Sequence, residues 1–314
     1  MNRRDCIFYG EVVKGYIIKT LVDVLVGSFN RTPFSITKEG VYIRDCDKNR
    51  SILFNIELNR EKFIKYKCDQ DIFFSANVKH IQRLIRNLKK KDSLILGIRK
   101  NTPDVLCIMI CPARKTENTN YRSETADIRI QLESDPSQVD LPNPQVYQFP
   151  YVIDASEFQK VKRISSVAKI IKVIIQGDNY LGFICDKEIY STALHFGDPP
   201  SLEEGVEVIS DDEDDEDSET DSQDEFENYE TEDKSSTDSS RIYKAEFNSS
   251  LFNHLVKLPG LCTQMQFYAP TEELFPLRIR MEAGLLGTVD VYIKDIKTLE
   301  YDEEIVRQHI SENN

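Results

Sequence analysis

The chain has 314 residues, with 40 lysines and arginines against 54 acids and a net charge of −14. No apolar run approaches the roughly 18 residues that a membrane-spanning helix needs, so no membrane partner is expected. The seven cysteines are scattered without a C-x-x-C pair, which suggests neither a disulfide framework nor a zinc site and predicts reduced thiols in an intracellular protein.

The negative charge is concentrated in one stretch. Residues 211–240 hold sixteen Asp or Glu and one Lys, a net of −15, so the other 284 residues together carry +1. With almost no apolar side chains, this stretch cannot bury enough surface to offset the entropy of ordering it. We expect a disordered acidic insert at about residues 201–240 and a nearly neutral folded body around it.

The first predicted helix covers residues 16–26, where Ile17, Leu21 and Leu25 share an apolar face and Lys19 lies elsewhere. A turn then leads to a predicted strand, GVYIRDCDK.

A basic segment follows at residues 79–91, which contain six Lys or Arg and no acid. Its spacing predicts a helix with two opposite faces, capped by Asn77. The cationic face carries Lys79, Arg83, Arg86 and Lys90, and the apolar face carries Ile81, Leu84, Ile85 and Leu88. Such a face is either solvated or directed at a polyanion, and the helix alone favours solvent.

Residues 125–132 alternate strictly between apolar and polar side chains, with Ile128 and Ile130 on the apolar side, and predict one half-buried strand. Prolines and short polar residues at 133–150 then predict a connector.

The second half repeats the order of the first. A helix is predicted at residues 156–167, the strand NYLGFICDK follows, and another helix is predicted at residues 248–257. This order predicts a duplicated α+β unit. The expected domains are residues 1–132, the connector at 133–150, and residues 151–314, which contain the insert.

No motif for catalysis is present. The four histidines lie far apart, and the sequence contains no G-x-S-x-G, H-E-x-x-H or G-x-x-x-x-G-K-[ST] pattern. We therefore expect a binding protein rather than an enzyme, without a metal ion or another cofactor.

Several segments together resemble the proliferating cell nuclear antigen (PCNA) family of DNA sliding clamps. The sharpest is FIKYKCDQDIFFSANVKHIQRLIR, supported by GYIIKTLVDVLVGSFN, DASEFQKVKR and FPLRIRMEAGLLGTVDVYI. The resemblance implies the α+β clamp fold, with two similar domains of antiparallel sheet and helices that line a ring of three chains. A viral member of the family is compatible with the divergence, so the expected location is the nucleus or a cytoplasmic site of viral replication.

The resemblance implies three sets of functional residues. Cations on the helices would contact DNA phosphates, namely Lys19, Lys79, Arg83, Arg86, Lys90, Lys160, Arg163 and Lys257. A groove for short partner peptides would involve Cys46, Arg50, Leu53, Val139, Leu141, Tyr147, Pro276 and Tyr292. The subunit interface would pair the strand of Ile128 and Ile130 with that of Leu181, Phe183 and Cys185 in the next chain.

The implied function is a processivity factor that encircles double-stranded DNA and tethers a DNA polymerase and other replication or repair proteins. An ATP-dependent clamp loader would open the ring. Two alternatives stay open: a subunit of a heterotrimeric checkpoint clamp, and a monomeric processivity factor that grips DNA. The monomer would need a more basic body than the residual +1 provides.

Overall fold

The computed structural model describes residues 1–113, 123–136, 139–186, 191–199 and 242–312. The predicted insert at 201–240 lies outside the described residues. The first half contains β1 (Cys6–Val12), α1 (Tyr16–Ser28), β2 (Arg31–Ile36), β3 (Gly40–Cys46), β4 (Ile52–Asn59), β5 (Lys65–Cys68), β6 (Ile72–Asn77), α2 (Val78–Ile85), β7 (Ser93–Arg99), β8 (Thr102–Cys111), β9 (Glu124–Arg129) and β10 (Gln131–Glu133).

The second half begins after the connector. It contains β11 (Tyr151–Asp154), α3 (Ala155–Phe158), α4 (Val161–Val167), β12 (Ile170–Gln176), β13 (Tyr180–Asp186), β14 (Ser191–Gly197), β15 (Ile242–Asn248), α5 (Ser249–Leu255), β16 (Gln264–Tyr268), β17 (Leu277–Glu282), β18 (Gly287–Ile293) and α6 (Ile296–Glu312). None of the helices in the described ranges is long and apolar enough to cross a membrane.

The described strands form three antiparallel sheets, which confirms the predicted α+β class. One sheet has the order β5-β1-β7-β8-β9, and another has the order β14-β13-β12-β15. The third has nine strands in the order β10-β6-β2-β3-β4-β18-β17-β16-β11. This sheet joins the two halves of the chain, because β4 pairs with β18 from Leu58↔Gly287 to Ile52↔Ile293.

The two halves share an order of elements. In the first half, α1 precedes β2, β3 and β4, and α2 precedes β7, β8 and β9. In the second half, α3 and α4 precede β12, β13 and β14, and α5 precedes β16, β17 and β18. By this order β4 corresponds to β14, and β9 corresponds to β18.

The helices bury their apolar faces against the sheets. On α1, Leu21 and Leu25 are almost completely buried, and on α2 the side chains of Ile81 and Ile85 are buried as predicted. Removing this apolar surface from water is the main force that holds the helical layer on the sheets. The polar faces of the same helices point toward solvent.

Two predicted helices differ from the structure. The basic helix ends at Ile85 rather than continuing through Lys90, although Asn77 caps it as predicted by accepting a bond from the His80 N–H at 3.1 Å. The helix predicted at residues 156–167 is interrupted, because Gln159 and Lys160 donate to carbonyls three residues back instead of four. It therefore forms the separate helices α3 and α4.

The single strand predicted at residues 125–132 is also divided. Its first part is β9, which pairs with β8, whereas β10 turns away and pairs with β6 of the nine-stranded sheet. The change of sheet occurs at Ile130, whose N–H donates to the Asp104 carbonyl. Alternation in the sequence continues through this bend, so the pattern alone could not reveal it.

Candidate functional site

The cations of α2 lie on its solvent face. Lys79, Arg83 and Arg86 are exposed, and the helix itself carries no acid. The nearest carboxylate described on the neighbouring helix is Asp23 of α1, and it accepts a hydrogen bond from Gln82 Nε2 at 2.6 Å. Positive charge on this face is therefore left available for an external anion.

Lys90 does not extend the cationic face of α2 as predicted, and Lys19, a predicted DNA contact on α1, is turned toward the end of α2. The Lys19 ammonium donates to the backbone carbonyls of Arg86 at 2.6 Å and Leu88 at 3.3 Å, so it caps the end of α2. Lys90 lies beyond the helix, and its Nζ sits 5.8 Å from the centre of the Tyr16 ring. Both remain close to α2, but neither is on its helical face.

The second half presents fewer predicted cations. Lys160 and Arg163 are exposed near the break between α3 and α4, and Lys160 forms an ion pair with Glu157 at 2.5 Å. Lys257 follows α5, and its Nζ donates to the Asp23 carbonyl of α1 at 3.2 Å. Lys257 thus links the helical layers of the two halves.

Helical spacing missed four further exposed cations beside these helices, which are Lys14, Lys89, Lys91 and Lys162. Lys14, Lys89 and Lys91 lie in the turns beside the helices, and Lys162 lies on α4 next to Arg163. A count of the charged residues in each segment would have found them, whereas helical periodicity did not. Lysines and arginines on short helices suit phosphate contacts, which attract nucleic acid without reading its sequence.

The predicted subunit strand around Leu181, Phe183 and Cys185 is wrong. These residues lie in β13, whose two edges are already occupied by β12 and β14. All three side chains are fully buried in the core of their own chain. A strand with no free edge cannot add a strand from another chain. Among the described strands, the outer strands of this sheet are β14 and β15.

The other predicted interface residues need a similar correction. Ile128 and Ile130 are 8% and 7% exposed and pack into the core of their own chain. Their side chains therefore do not form a free contact surface. Among the described strands, however, β9 is one of the two outer strands of its sheet, the other being β5, so its backbone edge stays available for pairing.

The predicted peptide groove lies where β3, β4 and β18 run side by side. Leu53 is paired with Cys46 on one side and with Tyr292 on the other. Leu53 and Cys46 are partly exposed, whereas Tyr292 is buried. Burial raises the pKa of the Cys46 thiol, so it stays neutral and apolar in this surface.

Connector residues cover part of the same region. Val139 accepts a bond from Arg44 through its carbonyl at 3.5 Å, and Leu141 is half-buried beside it. The Tyr147 hydroxyl donates to the carbonyl of buried Pro276 at 3.1 Å. The connector is thus attached at both ends, and Leu141 lies between the two attachments.

An unpredicted ion pair supports this end of the connector. Arg278 contacts Asp290 at 2.8 Å, and both side chains are largely buried. The guanidinium carbon also lies 5.0 to 5.8 Å from the ring centres of Tyr268, Tyr147 and Tyr292. Cation–π contacts of this kind hold the three tyrosine rings in place around the guanidinium group. Arg278 pairs with Tyr292 across β17 and β18 and with Tyr268 across β17 and β16, and Tyr147 comes from the connector. These long-range pairings hid the cluster from sequence reasoning.

The described residues contain no group of three or more His, Cys, Asp or Glu arranged to hold a metal ion. Burial raises the pKa of the Cys68, Cys107 and Cys262 thiols to about 11, so these thiols stay protonated near neutral pH. They are poor ligands and poor nucleophiles in that form.

Comparison with known proteins finds a match to one family profile. A profile described as proliferating cell nuclear antigen, N-terminal domain, matches residues 7–134. A similar protein is the probable DNA polymerase sliding clamp 1 of Paramecium bursaria Chlorella virus 1, which is 21% identical over 94% of this chain and 99% of the viral one.

Two cellular proteins are also similar. The DNA polymerase sliding clamp of Nitrosopumilus maritimus is 25% identical over 88% of this chain and 93% of its own. The proliferating cell nuclear antigen of Saccharomyces cerevisiae is 23% identical over 57% of this chain and 66% of its own. The viral and archaeal matches extend through both halves of the duplicated fold.

Proposed function

Because the chain belongs to the proliferating cell nuclear antigen family, we propose that it is a DNA sliding clamp and that three copies close into a ring around duplex DNA. The ring holds a DNA polymerase on its template. The protein itself performs no covalent chemistry in this role, and the ring's topology keeps the complex on DNA.

The arrangement of the sheets carries the proposal. Within one chain, five strands of the first half and four of the second join through β4 and β18 into the nine-stranded sheet. The remaining sheets have five and four strands, and they end in β9 and β14. These two edge strands correspond to β18 and β4 in the repeated order. Pairing β9 with β14 of the next chain would build a second sheet of the same composition.

Such a contact uses different surfaces on the two chains, so repetition closes a ring when the rotation allows it. The exposed cations of α2 and α4, with Lys160 just before α4, then line the inside and meet the phosphates of DNA. A closed ring cannot leave the duplex sideways. Weak, sequence-independent attraction is therefore sufficient, and it permits sliding.

The groove beside the connector is the proposed attachment point for partners. Leu53, Leu141 and Cys46 offer an apolar surface whose floor is fixed by Tyr292 and Pro276. A short peptide with aliphatic and aromatic anchors would bind such a surface, as anchors in desolvated pockets provide most of an interface's energy. An ATP-dependent loader is proposed to open the ring, since the sequence has no nucleotide-binding loop.

Retention on end-blocked DNA tests the topological claim without a loader. The protein is incubated with linear duplex biotinylated at both ends, streptavidin is added, and the sample is chromatographed at high salt. A threaded ring should co-elute with blocked DNA and separate from DNA with open ends. Cutting the blocked DNA afterwards should release it. A protein that grips DNA as a monomer would dissociate equally from all three.

A further inference from the structure

Helix α6 forms one wall of a trough whose lining includes no residue of the proposed β9–β14 contact and none of the cations assigned to DNA. The helix starts directly after β18, and the Asp295 carboxylate caps it by accepting the Thr298 N–H at 2.9 Å. Ion pairs Lys294–Asp302 at 2.5 Å and Lys297–Glu273 at 2.8 Å fix its first turns. The helix therefore projects as a rigid element beside the candidate groove.

The opposite wall is the turn between β3 and β4, residues 47–51. The Asp47 carboxylate accepts the backbone N–H groups of Ser51 at 2.6 Å and Ile52 at 2.9 Å, which locks the turn. Arg50 adopts a left-handed backbone with φ of 53°, a conformation that non-glycine residues seldom hold without support. The turn thus holds the Lys48 and Arg50 side chains outward.

The trough between these walls has a volume of about 1030 Å³. Ligand pockets are typically ~300–1,000 Å³, so this space suits a peptide segment rather than one anchoring side chain. Its apolar strip is formed by Leu251, Leu299, Ile305 and Val306. Val306 is 57% exposed, which leaves an aliphatic surface without cover from the described residues.

The charges of the two walls are unequal. On α6, Asp302 pairs with Lys294 and Glu303 pairs with Arg307. Within the described ranges, neither Lys48 nor Arg50 forms a salt bridge, and both side chains are exposed. Asp47, Asp302 and Glu303 also line the trough, but the N–H groups of the turn engage Asp47 and the ion pairs on α6 engage the other two. The trough therefore presents cations without a salt bridge on one side and an aliphatic strip on the other, which complements an acidic and aliphatic peptide.

We propose that this trough binds an acidic, aliphatic flank of the partner peptides that enter the connector groove. Arg50 lines the trough and lies close enough to Cys46 of the candidate groove to act electrostatically on its thiol, so a bound peptide can pass from one surface into the other. The inference rests on the proposed peptide groove and adds a second recognition element to it. Partners with the acidic flank bind more tightly than partners that carry the anchors alone.

Calorimetry with synthetic peptides tests the proposal. A core peptide carries one aliphatic and two aromatic anchors. Extended peptides add Asp-Leu-Asp-Leu at one end or the other, and matched controls add Gly-Ser-Gly-Ser. With the full chain, one acidic extension should tighten binding about tenfold, and the Gly-Ser extensions should not. Equal affinity of all extended peptides would overturn the proposal.

Variants on the walls locate the effect. Val306→Asp and Lys48→Glu should each remove most of the gain from the acidic extension and leave the affinity of the core peptide unchanged. Tyr301→Asp is the matched control, because Tyr301 is an exposed apolar residue of α6 outside the trough lining. An equal loss in Tyr301→Asp would contradict the trough. Tighter binding of the core peptide after deletion of residues 296–314 would identify α6 as a cover instead.

The two proposals fail separately. If the core peptide does not bind, the connector groove is wrong. The trough then stands only if the Asp-Leu-Asp-Leu peptides still bind the full chain in a manner sensitive to Val306→Asp, and otherwise it is wrong as well.

Discussion

Asp45 lies beside the candidate groove in β3, where burial raises its pKa to about 6 and the nearby Asp47 charge adds to the effect. The unfolded chain would ionise this carboxyl near its usual pKa of roughly 4. Because the folded pKa is raised, the neutral group's contribution to stability is complete below about pH 4. It is lost as the pH rises through about 6.

Replacing Asp45 with asparagine should therefore stabilise the fold above pH 6. After allowance for solvent screening, we expect a gain of about 1–2 kcal/mol at pH 7.5 and little change at pH 4. Urea unfolding at both pH values measures this. Glu61→Gln removes an exposed acid and serves as the control. A uniform gain at both pH values would show that Asp45 burial is not the cause.

Arg83→Glu with Arg86→Glu tests the cations of α2. Both side chains are exposed, so the apolar face is untouched and the free energy of unfolding should change little. DNA affinity should fall, and the slope of log K against log salt should flatten by about 0.9 for each phosphate contact removed. Titration of duplex DNA at several salt concentrations measures both.

A charge-matched control separates location from total charge. Lys38→Glu with Lys62→Glu reverses two exposed lysines, one in the turn between β2 and β3 and one in the short 3-10 helix that follows β4. This variant should keep most of the parent's DNA affinity and its salt slope. Equal losses in the two double variants would mean that net charge, and not the α2 face, governs DNA binding.

Periodicity predicted the faces of the helices better than their ends. The burial of Ile81 and Ile85 follows from spacing within one helix. The end of α2 involves Lys19, which is far away in sequence. Its ammonium group donates hydrogen bonds to the carbonyls of Arg86 and Leu88. The order of strands was equally hidden: β13 has the more apolar sequence, but only the fold shows that β14 lies outside it.

At the proposed seam, where β9 would pair with β14 of the next chain, Leu194 of β14 offers a cleaner test than Ile128. Leu194 is only partly buried and packs at the margin of the core of its own chain, so an aspartate there can reach water in a monomer at a modest cost in stability. Pairing with β9 would remove that water and leave the charge without a partner. Leu194→Asp should therefore dissociate the oligomer while each chain stays folded, which light scattering and circular dichroism together measure.

Val152→Asp is the comparison for that variant. Val152 is 44% exposed and lies on β11, an edge strand of the nine-stranded sheet that has no part in the proposed seam. This variant should keep the parent's molar mass. Dissociation of both variants, or of neither, would contradict a seam between β9 and β14.

The connector groove is tested by Leu141→Ala. Leu141 is half-buried, whereas Tyr292 is buried and its truncation would also damage the core. Loss of a central apolar contact should weaken the core peptide by about 2 kcal/mol, or roughly thirtyfold. Leu285→Ala, at an exposed turn between β17 and β18, is the calorimetric control. Unchanged affinity in Leu141→Ala would place the peptide elsewhere.

For the whole molecule, the duplicated fold suggests how a small protein can surround DNA. Each chain contains one complete junction, β4 with β18, and two unpaired halves of another. Three copies would supply six similar sheets around one axis, with the helices inside. The fold class followed from the sequence, since it depends on local patterns. Ring closure could not be predicted in the same way, because it depends on contacts between different chains.

Light scattering of the purified chain tests that closure most directly. One chain has a mass of 36.3 kDa, so a closed ring of three should have a molar mass of about 109 kDa. The value should stay constant over a wide range of micromolar concentrations, because each protomer is held on two sides. A mass of 36.3 kDa throughout that range would contradict the self-assembled ring.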